Sequence, residues 1–268
     1  MRRLVIRPGA IGDFIVSLPA IECLAAPTLE VWTAARAVPL VRFAARVRAI
    51  SSTGLDLLGV TEPPPELIAN LREFDSIVSW YGANRPEFRQ TVADLDLPFT
   101  FLDALPATES GLHAADFYLE QVRPLADCSS DGIPHIECPA EPGDFAVIQP
   151  FSGSPKKNWP LENYLALAEK LQRLMPVKWC AGADDPPLPS AVRIDDLYDL
   201  ACWLARARLY IGNDSGITHL AAAGQRHRAT RTCGPRGAQI AGSVGPKRAR
   251  TGVPTAAARW VMPESFPM

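Results

Sequence analysis

At 268 residues the chain is long enough to bury a substantial core, as one large domain or two modest ones. Hydrophobic residues make up 47% and charged residues 21%, and a formal net charge of -2 excludes any global pull toward nucleic acid or an anionic surface. The balance is uneven, however: residues 225–268 hold eight Lys or Arg against one acid, Glu264. That stretch is therefore about +7 and the preceding body about -9, a split that calls for an explanation.

Taken in chain order, Leu4–Arg7 reads as a buried strand, and Gly12–Leu24 as a helix with Phe14, Leu18 and Ile21 at helical spacing. Leu29–Thr33 is a second strand, helical patterns follow around Leu40–Val47 and Glu66–Phe74, and Ser76–Trp80 is again a strand. An amphipathic helix over His113–Leu125 closes this half, and the polar, proline-bearing Pro134–Pro142 reads as a linker. The alternation then restarts with strand Phe145–Gln149, helix Leu161–Leu174 and strand Val177–Cys180. Asp195–Ala207 follows as a helix capped by its first Asp, then strand Leu209–Gly212 and a small-residue helix Gly216–Ala223. Strands alternating with helices predict parallel sheets in two α/β domains, spanning 1–138 and 143–224, followed by an atypical basic stretch over 225–268.

The six cysteines are scattered without a C-x-x-C pair, so reduced, mostly buried thiols are expected and metal sites are not. Arg7 and Pro8 interrupt the first apolar run too early for a secretory leader, and no apolar run reaches the ~18–20 residues of a membrane span. A cytoplasmic protein is expected.

Three segments fall at strand-to-helix junctions, where open α/β sheets bind ligands. In Arg7-Pro-Gly-Ala-Ile-Gly-Asp-Phe, Gly9 and Gly12 permit a tight turn and Asp13 enters the first helical turn. There Asp13 either complements the helix dipole or serves as a general base. No Gly-Lys-Ser/Thr follows, so this is not a P-loop, and the missing G-x-G-x-x-G weighs against a nicotinamide-dependent oxidoreductase. In Phe151-Ser-Gly-Ser-Pro-Lys-Lys-Asn-Trp-Pro, Ser152 and Gly153 can present a hydroxyl and amides to phosphate, with Lys156 and Lys157 as cations. The competing reading is a solvated loop with Trp159 in the core. In Gly212-Asn-Asp-Ser-Gly-Ile-Thr-His-Leu-Ala-Ala, a helix opening at Gly216 offers an anion-binding terminus. An ordinary cap by Asp214 or Ser215 is the plainer account, but it leaves Thr218 and His219 unexplained.

Together, the R-x-G-x-I-G-D start, the K-x-W-P after the first strand of the second half and the D-[ST]-G-x-x-H-L-A-A segment resemble glycosyltransferase family 9, the bacterial ADP-heptose–lipopolysaccharide heptosyltransferases. Order and spacing fit along residues 1–224. The resemblance implies a GT-B fold, two Rossmann-like domains facing a cleft, with the acceptor on the first and the nucleotide-sugar on the second. It implies inverting transfer of a heptose-like sugar from an ADP-sugar to a lipopolysaccharide core or related glycan, with no metal and no cofactor. By that similarity Asp13 is the base, Gly9 and Gly12 shape the acceptor-side loop, and Lys157 contacts the donor's phosphates. Ser152 and Gly153 fall on the phosphate-proximal loop, and Asp214, Ser215, Gly216 and His219 hold donor phosphate and sugar. Asp184 takes the place of a ribose-binding acid, although the family usually has Glu there.

The pattern breaks after Gly224, where Gln-Arg-His-Arg-Ala-Thr-Arg-Thr-Cys-Gly-Pro-Arg replaces an apolar strand. This predicts either an out-of-frame C-terminus or a basic tail that touches anionic lipid at the inner membrane. An out-of-frame tail would leave the second domain incomplete and the strand Leu209–Gly212 at an unpaired edge. A nucleotide-sugar-binding remnant with weak or no catalysis is then the alternative function, separable from a transferase by a transfer assay.

Overall fold

The computed structural model describes residues 1–106, 113–139, 141–224, 229–234 and 237–242, the last two stretches by their backbone alone. The chain divides into two compact units, one built from Met1–Ile136 with Asp196–Tyr198, the other from Glu137–Asp195 and the described residues from Asp199 onward.

The first unit is a five-stranded parallel sheet of β1 (Arg2–Arg7), β2 (Thr28–Thr33), β3 (Arg46–Ala49), β4 (Ser76–Ser79) and β5 (Phe99–Phe101). The order is β3-β2-β1-β4-β5, with Val5 of the central strand standing between Val31 and Val78. All but the first residue of β1 is buried, which explains its unbroken apolar run over Leu4–Ile6: helices cover both faces of a parallel sheet, so alternation is not needed. Helices α1 (Ile11–Cys23), α2 (Pro65–Leu71) and α3 (Pro86–Asp94) make crossovers, and α4 (Ala114–Val122) follows β5. His113 caps α4, its Nδ1 accepting from the Ala115 amide at 3.3 Å. Leu4, Ile6, Trp32, Leu67, Leu71, Ile77 and Phe88 form one core layer, while α1 buries Phe14, Ile15, Leu18 and Ile21.

The helical pattern read at Leu40–Val47 is not a helix. A 3-10 helix occupies Ala35–Leu40, and Arg46–Ala49 is the edge strand β3, partnered with Glu30–Thr33. Valine and alanine between arginines alternate inward and outward at a sheet edge as easily as they recur on a helix.

The second unit contains β6 (Ala146–Gln149), β7 (Val177–Trp179), β8 (Leu209–Asn213), β9 (Ala229–Gly234) and β10 (Gly237–Gly242), ordered β10-β9-β8-β6-β7. The strands from β9 to β7 are parallel, and β10 is antiparallel to β9. Its helices are α5 (Leu161–Gln172), α6 (Leu197–Ala205) and α7 (Gly216–Gly224). Ile148 stands between Trp179 and Ile211, and Tyr164 and Ala168 of α5 pack onto this layer. The expected open edge beside Leu209–Gly212 is overturned, because β9 pairs with β8 along its length, Tyr210 beside Thr230. Backbone pairing needs no apolar side chains, so the arginine- and threonine-rich composition hid this strand. The other residues of 225–268, and with them the frame or lipid-binding role expected there, lie outside the described residues.

The expectation of reduced thiols throughout is also corrected. Cys23 at the end of α1 is disulfide-bonded to Cys128, with Cα atoms 5.0 Å apart. Cys138, Cys180 and Cys202 are free thiols, and burial pushes Cys180 up to about 12, so it stays protonated at neutral pH. The side chain of Cys233 is outside the described residues. Among the described residues no helix is long and apolar enough to cross a membrane.

Candidate active site

In an open parallel sheet, ligands bind beyond the carboxyl ends of the strands where the winding direction reverses. In the second unit that point lies between β6 and β8, the two strands followed by the motifs at 151–160 and 213–219. Six of the residues expected on the donor side therefore come together there: Ser152, Lys157, Asp214, Ser215, Gly216 and His219.

The Lys157 Nζ lies 3.0 Å from Asp214 Oδ2, and His219 Nε2 lies 4.0 Å from the other carboxylate oxygen. Both Lys157 and Asp214 side chains are more than half exposed, at 55% and 66%. An ion pair so open to water contributes at most about 1 kcal/mol, so an incoming phosphate can displace the carboxylate from the lysine at little cost. Ser152 Oγ lies 2.9 Å from the Ser154 carbonyl and 2.7 Å from Asn158 Oδ1, which folds the loop back on itself. Gly153 faces open space, with no atom within 4 Å of where a side chain would begin. Gly216 opens α7, whose dipole adds partial positive charge at this end. Thr218 faces inward: its hydroxyl donates to the Asn213 carbonyl and lies 3.4 Å from both the Ser215 and Tyr210 hydroxyls.

Asn213 was not singled out by motif reasoning, yet it holds this arrangement. Fully buried, it accepts from the Trp159 amide at 2.9 Å and the Tyr164 hydroxyl at 2.8 Å. Its amide donates to the Pro150 carbonyl at 2.7 Å and to Asn158 Oδ1 at 3.1 Å. All four hydrogen-bonding positions of the side chain are used. The available signal was a polar residue closing an apolar strand just before a turn. Asn213→Ala is expected to strand several buried groups, each costing about 1–3 kcal/mol, and so to destabilise the second unit by roughly 3 kcal/mol or more. Urea unfolding followed by tryptophan fluorescence measures this, and an unchanged midpoint would show that the clamp carries no weight.

Asp184 lies past the end of β7, on the far side of β6, and is exposed. Its loop is held by others: Asp185 Oδ2 accepts from the Gly182 amide at 2.6 Å, and the Arg193 guanidinium donates to the Gly182 and Pro186 carbonyls.

In the first unit the winding reverses between β1 and β4, and Asp13 lies beyond the end of β1 in the first turn of α1, exposed to solvent. Gly9 adopts a φ of +142°, and a side chain there would begin 3.3 Å from the Arg7 guanidinium. Gly12 is the second residue of α1. The turn is backed by Arg7, only 3% exposed, which donates to the Pro8 carbonyl at 2.9 Å, the Tyr118 hydroxyl at 2.7 Å and the Asp13 carbonyl at 3.4 Å. Burial lowers the Arg7 pKa, opposed by Tyr118 and then by the Asp13 charge. Sequence reasoning passed over this arginine as part of a motif, and Tyr118, 111 positions away, had no signal at all.

Residues 113–230 match the model of glycosyltransferase family 9 (heptosyltransferase). The segment includes every donor-side candidate and runs six residues past Gly224, where the motifs lose the pattern; Asp13 lies outside it. No curated protein matches the sequence. Among solved structures, the glycosyl transferase family 9 from Veillonella parvula DSM 2008 is similar at 18% identity and a TM-score of 0.63, over 83% of this chain and 78% of that one. E. coli ADP-heptose lps heptosyltransferase II is similar at 16% identity and 0.62, over 86% and 83%. E. coli heptosyltransferase WaaC with ADP-2-deoxy-2-fluoro heptose is similar at 17% and 0.59, over 86% and 88%. Identities this low speak for the GT-B-type fold, and the family model speaks for the sequence of the second half. Residues 113–230 thus match glycosyltransferase family 9, the heptosyltransferase family, within a chain that has the fold of such enzymes.

Proposed function

We propose that this protein is a glycosyltransferase that moves a heptose-like sugar, with inversion and without a metal, from an ADP-sugar to a lipopolysaccharide core or related glycan. The observation that carries the reading is the Lys157–Asp214–His219 cluster at the reversal point of the second sheet, beside the α7 terminus. Departing ADP gains negative charge, and a cation exchangeable from an exposed ion pair, a helix dipole and hydroxyls can take it up. In this reading Asp13 accepts the acceptor hydroxyl's proton as its oxygen bonds to the anomeric carbon. The bond from that carbon to phosphate breaks, and ADP leaves with the electron pair. Attack opposite the leaving group inverts the anomeric configuration. Lys157 and His219 hold the phosphates, Asp214 released from Lys157 accepts sugar hydroxyls, Ser152, Gly153, Ser215 and Gly216 line the phosphates, and Asp184 faces the ribose. The first unit serves the acceptor, and the protein works in the cytoplasm at the membrane surface where such lipid-linked acceptors are made. Support for the donor comes from the structure of WaaC, solved with an ADP-2-deoxy-2-fluoro heptose.

A panel of ADP-, GDP- and UDP-sugars read by thermal shift, followed by transfer to a delipidated core oligosaccharide with NMR of the product anomer, tests the reading. Stabilisation by ADP-heptose, an inverted product and a rate indifferent to chelator are expected. Retention of configuration, or stabilisation only by another nucleotide, would overturn it.

A further inference from the structure

Arg7 is a cation that its surroundings do little to neutralise. It is 3% exposed, yet among the described residues no carboxylate lies within 4 Å of it. Its partners are two main-chain carbonyls and a phenol, and its Nε is buried with no partner. The guanidinium also lies over the Tyr118 ring, 4.8 Å from its centre. A buried charge served only by neutral acceptors is a costly arrangement for stability alone.

The hydrogen bonds run in a chain. The Tyr118 hydroxyl donates to the Ala104 carbonyl at 2.9 Å and accepts from Arg7 at 2.7 Å, and Arg7 donates onward to the Pro8 and Asp13 carbonyls. Three separate segments at the carboxyl end of the first sheet are thereby tied together: the turn after β1, the loop after β5 and helix α4. The Ala10 that precedes α1 has no side-chain cap, so the turn that carries Asp13 depends on this support from behind. The Asp13 charge in turn acts on both Arg7 and Tyr118, which places its carboxylate within electrostatic reach of the pair.

We infer that Arg7 and Tyr118 are positioning residues that fix the turn bearing Asp13, and so set the angle at which its carboxylate meets the acceptor hydroxyl. The inference rests on the reading of Asp13 as the base. Neither residue touches substrate in this account. Tyr118→Phe keeps the ring, its edge contact with Trp80 and its place over Arg7, and removes only the hydroxyl that joins Arg7 to Ala104.

The test is a double-mutant cycle on transfer from ADP-heptose in the full chain. Misplacing a catalytic group by about 1 Å costs up to ~10²-fold, so Tyr118→Phe is expected to lower kcat roughly tenfold with both KM values within about twofold. In an Asp13→Asn background, where no base remains to be aimed, the same change is expected to cost less than about twofold. A merely structural role would lower turnover by the same factor in both backgrounds. That outcome, with Asp13→Asn itself slow, overturns the inference and leaves Asp13 in place; an Asp13→Asn variant as fast as the parent removes both. Arg7→Lys, which keeps the charge and loses the planar fork, gives the same cycle should Tyr118→Phe fold poorly. If turnover is too slow to time, amide hydrogen exchange over residues 9–14 replaces it. Faster exchange in Tyr118→Phe supports the inference, and unchanged exchange overturns it.

Discussion

Asp13→Asn is expected to slow transfer by roughly 10²–10⁴ while leaving donor affinity within about twofold, the usual worth of a general base. Asparagine has the same shape and keeps the main-chain carbonyl that receives the Arg7 bond, so the turn is preserved. What is lost is the acceptor for a proton. Asp13 belongs to the first unit and the donor-side cluster to the second, so nucleotide binding is not expected to sense the change. Single-turnover rates with saturating acceptor, beside calorimetric titration with ADP, separate the two effects. Transfer at the parent rate would take Asp13 out of the chemistry; lost ADP binding would mean the substitution had disturbed the second unit as well.

Lys157→Ala carries the second large effect. Its ammonium is 3.0 Å from Asp214, so removing it withdraws the cation and leaves an exposed carboxylate facing the incoming diphosphate. Loss of one donor aimed at developing charge typically costs ~10²–10³ in rate, and Asp214 repulsion adds to the loss in the ground state. Both kcat and ADP affinity are therefore expected to fall. Lys156→Ala is expected to change either by less than about threefold, because Lys156 is solvent-exposed and makes no ion pair with Asp214. Equal losses from the two substitutions would mean a diffuse basic loop and would dissolve the assignment. Lys157→Ala/Asp214→Asn should regain part of the ADP affinity lost in the single variant, since the repelling charge goes with it.

Much of the architecture was legible because apolar runs are local. Leu4–Ile6, Val147 and Ile148, and Tyr210 and Ile211 are buried on both sheet faces and stand out in the chain. Helix α3 was not visible: only Phe88 and Val92 are buried in it, a single i, i+4 pair amid polar residues. Strand β5 is three residues long and half-buried, too short for periodicity to register. Strand order is a different kind of information. That β8 rather than β7 flanks β6 on the donor side follows from how crossovers wind, and nothing within a strand encodes it. The candidate site divides the same way. Residues within one motif, such as Asp214, Ser215 and His219, could be grouped by spacing. Lys157 with Asp214, Arg7 with Tyr118 and Cys23 with Cys128 lie 57, 111 and 105 positions apart, and only tertiary folding brings them together.

The fourfold engagement of Asn213 bears on how a nucleotide would be received. Ordering one residue of flexible backbone costs about 1–2 kcal/mol of entropy, and a phosphate-binding loop that orders on contact subtracts that sum from its affinity. Here the backbone at Pro150 and Trp159 and the side chain at Asn158 are held from β8 before any ligand arrives. The loop is anchored at its two ends, and the side chain of Lys157 between them is exposed. Binding would then resemble the swapping of one counter-ion for another on a finished frame. A fast association rate that falls with ionic strength, and a modest entropic penalty, would be its signature.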